Sequence, residues 1–343
     1  MADVRVAGSP EPAAAAARPV SDHGAEPFSR LGEFPVSFFS AVMGLSGLTA
    51  ATQRMEAAHG LPAGAGTALF ALTAAVFLLL SATYLCKVIR HPEAVRAEWS
   101  HPVRICFFPT ISISAILLAT AAQGVDAGLS FGLWAAGAAA HLVLTVLVIT
   151  AWINHARYEI AHLNPAWFIP VVGNVLVPIA GVHHAPPDLS WFFFAVGLLF
   201  WIVLLTIVMY RLIFHSPLPG RMVPTLFILL APPSAGFISY VALTGGIDPF
   251  GRLLYFWAVF FFLLLLPQLG RFSRLPFTLS WWAYSFPLAA FTIATSQMAG
   301  LAGSRVYAAA GTGLYGLLVL VVGGLAIRTL AGVRRGEFCR PEQ

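Results

Sequence analysis

The residues of this chain best suited to metal or nucleophilic chemistry are 10 histidines and 3 cysteines, and their spacing supports neither. His155 and His162 share one polar connection and His183 adjoins His184, but no HExxH pattern or other ligand set arises. Cys86, Cys106 and Cys339 form no CxxC pair and no even framework, so they read as small apolar side chains with free thiols. His141 sits inside an apolar run, where a packed neutral imidazole and a proton relay are both open to it. Walker A, GxSxG and dinucleotide-binding glycine patterns do not occur. The sequence thus points to no metal, no cofactor and no enzyme.

A gentler chemistry lies in the prolines, hydroxyls and amide that interrupt otherwise apolar stretches. Pro109, Pro170, Pro178, Pro224, Pro232, Pro233 and Pro287 sit within such stretches, accompanied by Asn174, Ser234, Ser285 and other serines and threonines such as Ser37, Ser40 and Thr110. Proline in a helix interior deletes one hydrogen bond and frees the carbonyl a turn back. In lipid, backbone of that kind is tolerated only when buried in protein or facing a water-filled cavity. Kinked backbone and hydroxyls along a path hold an anion weakly, and weak holding favours flux. The same residues serve equally well as glue in a solid helical bundle.

Lipid sets the elements that carry these residues. Charged residues make up 10% of the 343 and hydrophobic ones 59%, whereas a soluble protein carries about a quarter charged. A mean hydropathy of +0.82 leaves more apolar surface than one water-facing core can hide. Apolar runs at 34–53, 67–88, 103–122, 129–153, 167–182, 189–212, 222–243, 253–269, 277–298 and 306–327 predict an all-α integral membrane protein. Its ten transmembrane helices pair as five helical hairpins. Spanning strands would alternate over about 10 residues, and these runs are continuously apolar.

Lys and Arg are retained on the cytoplasmic side of a membrane. With the N-terminus inside, Arg54, Arg252 and Arg305 alone among the 19 basic residues fall outside. Both termini are therefore expected in the cytoplasm, with the helices in a bacterial-type inner membrane. Residues 1–32, rich in Ala and Pro, read as a disordered tail, 33–330 as the ten-helix channel domain and 331–343 as a cytoplasmic C-terminal tail. The net charge of +5 implies no nucleic-acid partner, because the basic residues form no stripe on a soluble face.

Interior prolines fall almost wholly in the odd-numbered spans, and most of the polar residues fall there too. Five kinked inner helices around a pore, shielded from lipid by five oily outer ones, are the arrangement this predicts. Runs such as 256–266 suit the lipid-facing ring. No Asp, Glu, Lys or Arg lies mid-span by this reading, which disfavours a proton-coupled pump or a cation channel.

Four motifs carry a family resemblance: Phe34-Pro35-Val36-Ser37-Phe38-Phe39 followed by Gly44-Leu45, the run from Asn164 through Pro165 and Pro170 to Asn174, Ala231-Pro232-Pro233-Ser234-Ala235-Gly236-Phe237, and Trp281-Trp282-Ala283-Tyr284-Ser285-Phe286-Pro287. They resemble the tellurite-resistance/dicarboxylate transporter family, which includes bacterial TehA, fungal malate and sulfite transporters and plant slow-type anion channels. The resemblance implies a homotrimer with one pore per subunit, passing small anions such as chloride or nitrate, with C4-dicarboxylate, sulfite and tellurite as further candidates. It also implies a phenylalanine gate before the kink proline of span nine, which here is Phe286 beside Pro287. An apolar ring aimed into a narrow pore closes it by steric block and dewetting. Gly44, without a side chain, is a place for such a ring or a helix-packing contact. A proton-coupled carrier of malate or another C4-dicarboxylate, or a tellurite-resistance efflux carrier, is the alternative, and an enzyme built on the histidines a third reading.

Overall fold

The computed structural model describes residues 29–154, 157–272 and 274–339. Nearly all of the expected N-terminal tail, His155, and the last residues of the expected C-terminal tail lie outside the described residues. Regular structure among the described residues is entirely helical. In chain order the helices are α1 (Phe39–His59), α2 (Ala65–Arg90), α3 (Pro92–Ser100), α4 (Pro109–Ala122), α5 (Ala127–Asn154), α6 (Ile169–Val172) and α7 (Val177–Gly181). They continue as α8 (Pro187–Phe214), α9 (Ala231–Thr244), α10 (Pro249–Leu265), α11 (Leu269–Phe272), α12 (Ser285–Ala302) and α13 (Arg305–Arg334).

Among the described residues, 7 helical stretches are long and apolar enough to cross a membrane: Ala65–Arg90, Arg104–Ala122, Ala127–Asn154, Pro187–Phe214, Gly220–Thr244, Pro249–Phe272 and Arg305–Arg334. Pro165–Gly181 is a shorter apolar stretch. The molecule is a helical membrane protein. Burial separates its helices into two kinds. In Arg104–Ala122 and Gly220–Thr244, 78% and 67% of the most apolar stretch is buried inside the protein, against 17% to 33% for the other long ones. α1, α7 and α12 belong with the buried kind.

The buried helices pack on one another in chain order and return to the start: α1 on α4, α4 on α7, α7 on α9, α9 on α12, and α12 on α1. Each exposed helix covers one seam of that ring. α2 touches α1 and α4, α5 touches α4 and α7, α8 touches α7 and α9, α10 touches α9 and α12, and α13 touches α12 and α1. Within α10 the inward face recurs every three or four residues, at Leu254, Ala258, Phe261 and Leu265, while Phe256, Trp257, Phe260 and Leu263 are exposed. The run 256–266 is therefore two-faced rather than wholly outward.

Every member of the buried ring is preceded by a tighter 3₁₀ segment: Val36–Phe38, Arg104–Phe107, Gly173–Leu176, Gly220–Leu230 and Leu279–Tyr284, with a further one, Pro165–Phe168, ahead of α6. Proline chemistry accounts for much of this, since its missing N–H and fixed φ favour short interrupted turns over a long α-ladder. Hydroxyls finish three of the junctions. Ser40 donates to the Ser37 carbonyl at 2.5 Å, Thr110 to that of Phe107 at 2.5 Å, and Ser285 to that of Trp282 at 2.6 Å.

Two details differ from the sequence expectation. The first helix does not stop at Gln53 but carries Arg54 and Glu56 through to His59, because Glu56 finds partners: its Oε1 accepts from the N–H groups of Ala65 and Gly66 at the start of α2. A charge favoured by a helix N-terminus is easily held at that depth. The other addition is α3, a short helix that brings Glu98 back to the beginning of the fold. Glu98 there accepts from Lys87 at 2.8 Å, from the Tyr84 hydroxyl at 3.0 Å and from the Val36 N–H at 2.7 Å.

Candidate functional site

Two cavities run between the buried helices. The larger, about 670 Å³, opens among Lys87, Arg104 and Arg221 and extends inward past Thr110 and Thr225. The smaller, about 260 Å³, is bounded by Ser46, Arg54, Gln123 and Gln297. Leu176, Ala235 and Phe286 line both, so the two chambers abut at these three side chains. Each ring helix crosses this level with one turn of chain. Met43 lines the larger chamber and Gly47 the smaller, and Ile113 and Leu117 repeat the step. Val172 and Leu176, Ala231 and Ala235, and Phe286 and Ala290 do the same. The waist is consequently apolar all round.

Three hydroxyls of the larger chamber are already committed. Ser40, Thr110 and Thr225 line it, and each donates its proton to the carbonyl three residues back. What they present to the chamber is a modest dipole rather than a strong donor, which suits passing contact with a solute more than tight capture. At the wide end Lys87 and Glu98 form a buried ion pair at 2.8 Å, and Lys87 also donates to the Phe34 carbonyl at 2.8 Å. Glu98 neutralises Lys87, and Arg104 and Arg221 line the same mouth.

The residues singled out from sequence divide sharply. Phe286 and Pro287 line a chamber. Gly44, Pro109, Asn174, Pro178, Pro233, Ser234 and Ser285 line neither chamber and pack between helices. Gly44 lies directly against the Ser285 side chain, and it is Gly47, one turn on, that comes near Phe286: a Cβ there would be 3.7 Å from the ring. Asn174 turns towards α5, donating to the Thr145 hydroxyl at 2.9 Å and to the Val171 carbonyl at 2.7 Å.

The backbone freed around Pro170 and Pro178 is answered from neighbouring helices rather than from the chambers. Thr145 donates to the Pro170 carbonyl at 2.7 Å, Ser239 to that of Val175 at 2.5 Å and Trp134 to that of Val177 at 2.9 Å. Broken helix in lipid needs such partners, and here side chains of α5 and α9 supply them. His141 belongs to the same packed layer. It is fully buried, and its Nδ1 pairs with Ser112 Oγ at 3.0 Å while Ser112 donates to the Pro109 carbonyl. No group of His, Cys, Asp and Glu able to hold a metal exists among the described residues.

Sequence reasoning missed the apolar waist of Met43, Gly47, Ile113, Leu117, Leu176 and Ala235. A helix that is apolar on every side gives no periodic signal for which face borders a cavity. It also passed over Arg54, which carried a signal in being the one basic residue just beyond the first apolar run.

Comparison with known proteins follows the same extent of chain. The family model described as voltage-dependent anion channel (SLAC1) matches residues 33–330. An uncharacterised transporter of Methanocaldococcus jannaschii is 27% identical over 337 residues, covering 90% of this chain and 98% of its own. The S-type anion channel SLAH3 of Arabidopsis thaliana is 29% identical over 304 residues, 87% of this chain and 48% of that one. A tellurite resistance protein TehA homolog of Haemophilus influenzae is 24% identical over 315 residues, 89% of this chain and 92% of its own.

Proposed function

This chain belongs to the voltage-dependent anion channel family, and from that premise we propose that it is a passive anion channel whose conduit is the pair of chambers, closed at the waist by the Phe286 ring. The observation that carries the reading is the position of Phe286 on the wall of both chambers, next to Pro287. An apolar ring at an apolar constriction blocks hydrated ions by size and by dewetting, and a small rotation of the ring or of its helix would open the path. Leu176 and Ala235 complete the constriction and Gly47 leaves it room.

In this proposal residues 33–330 form ten transmembrane helices in five hairpins, kinked ones inside and straighter ones towards lipid. The closed ring of contacts and the division in burial support that arrangement. The termini lie in the cytoplasm of a bacterial-type inner membrane, so the chamber bearing Arg104 and Arg221 is the inner mouth and that bearing Arg54 the outer. The assembly is a homotrimer with one conduit per subunit, as the family resemblance implies. Its cargo is small anions, chloride or nitrate first, with C4-dicarboxylate, sulfite and tellurite as further candidates. The tellurite resistance named for the Haemophilus influenzae homolog would follow from passage of an oxyanion.

Current through purified protein in a bilayer, with chloride replaced by larger anions and no pH gradient, tests this reading. Anion current that follows voltage alone is expected. Flux appearing only with a proton gradient would turn the reading to a coupled C4-dicarboxylate or tellurite carrier.

A further inference from the structure

We propose that the smaller chamber is a binding site for one small planar oxyanion, of the carboxylate or nitrate type, held by the Arg54 guanidinium with Ser46, Gln123 and Gln297. The inference builds on the anion-conduit reading and adds to it a built station on one side of the waist. Arg54 is half-buried on the chamber wall, and among the described residues it has no hydrogen bond to protein and no acidic partner. The two fully buried cations among the described residues are compensated, Lys87 by Glu98 and Arg211 by the carbonyls of Ile160 and Ser216. Glu56, two residues further along α1, spends its Oε1 on α2 and is not on the chamber wall. A cation withdrawn from water without a counter-charge is costly, and an anion in the chamber removes that cost.

A second observation points the same way. Ser46 Oγ, Gln123 Nε2 and Gln297 Oε1 are buried without a hydrogen-bond partner, and all three residues line this one chamber. Elsewhere the serines and threonines of the ring helices donate to a carbonyl, of their own helix as Thr49, Thr52 and Thr292 do or of a neighbouring one as Ser239 does, so Ser46 stands out. Unsatisfied buried polar groups need an account, and an occupant of the chamber gives one to all three together. Either end of the Gln297 amide can be turned to it, since the amide offers a donor and an acceptor on one rotor.

The shape of the ligand follows from arginine. A guanidinium presents two parallel N–H groups that match two oxygens of a planar oxyanion, a match that a spherical halide cannot make. With about 260 Å³ available and roughly 30 Å³ for each water, a nitrate- or acetate-sized anion fits with several waters around it.

Calorimetric titration of the purified full chain with sodium nitrate, sodium acetate and sodium chloride tests the site without any transport measurement. The wild type should bind nitrate and acetate saturably and more tightly than chloride. Arg54→Gln should weaken oxyanion binding at least about tenfold, Arg54→Lys should keep chloride binding while losing the oxyanion preference, and Gln123→Leu should weaken both oxyanions. The exposed Arg252→Gln should bind as the wild type does. The lysine variant keeps the charge, and unfolding temperatures of all variants identify any that have lost their fold. Nitrate binding unchanged in Arg54→Gln, or equally reduced in Arg252→Gln, would overturn the site, as would a wild type that binds none of the three anions. Flux into liposomes, measured in parallel, separates this from the conduit reading. No anion flux with Arg54-dependent nitrate binding intact would defeat the conduit and uphold the site, whereas normal flux with Arg54-independent binding would defeat the site alone.

Discussion

Gly44 and Ser285 meet across the α1–α12 interface with no space between them: a Cβ on Gly44 would come within 2.6 Å of Ser285 Cβ and 3.0 Å of the Trp282 ring. The glycine thus sets how closely α12 approaches α1, and Phe286 is the next residue along α12. Gly44→Ala must push the helices apart or twist Ser285 off its bond to Trp282. Overpacking of this sort costs about 1–3 kcal/mol. The expected outcome is a lowered unfolding temperature together with altered resting conductance, and a variant matching the wild type in both would show that the interface is slack.

Lys87 and Glu98 clamp the beginning of the fold. Glu98 accepts from the Val36 N–H ahead of α1, and Lys87 holds the Phe34 carbonyl. Removing one member leaves a buried charge alone, a loss of about 3–5 kcal/mol. Glu98→Gln and Lys87→Met should each destabilise markedly, and the double variant should lose less than the two single losses together. Additive losses in a denaturation series would contradict a mutually dependent pair.

Asn174 tests which way the broken helix faces. Its amide bonds Thr145 and the Val171 carbonyl, on the side of α5. Asn174→Ala strands those partners and should cost about 1–3 kcal/mol, with anion preference unchanged in replacement currents. A change in preference at unaltered stability would place the amide on the conduit instead.

The sequence made the membrane class legible because composition alone forces it, and Pro109, Pro178, Pro233 and Pro287 lie in helices the structure buries, while the buried α1 has no interior proline. The details of the wall were another matter. Pro109, Pro178 and Pro233 were recognisable as kinks, but a kink does not say on which side the freed carbonyl points. In this fold Thr145, Ser239 and Trp134 answer such carbonyls from neighbouring helices. Phe286 stood out through a motif, whereas Met43, Ile113 and Leu176 were indistinguishable from ordinary core. Arg54 was hidden by the assumption that a helix ends where its apolar run ends.

Accessibility to a small water-soluble thiol reagent should map the wall residue by residue. In a background lacking Cys86, Cys106 and Cys339, Thr110→Cys and Thr225→Cys should react, since both line the larger chamber. Ser234→Cys should be shielded by protein and Phe260→Cys by lipid, the former being buried and the latter exposed on α10. Reaction at Ser234 as fast as at Thr225 would move the conduit to another face of α9.

Phe286→Ala addresses the central claim most directly, read as resting anion current and unfolding temperature on one preparation, with Phe291→Ala as control. Phe291 is buried against Tyr255 and Phe262 and lines neither chamber. Its removal should cost the roughly 3–5 kcal/mol of a buried phenylalanine and leave current unchanged or lower. Removing Phe286 should instead join the two chambers and raise resting current several-fold in a protein that still folds. Low current in a clearly destabilised Phe286→Ala protein would contradict the gate and return Phe286 to the core.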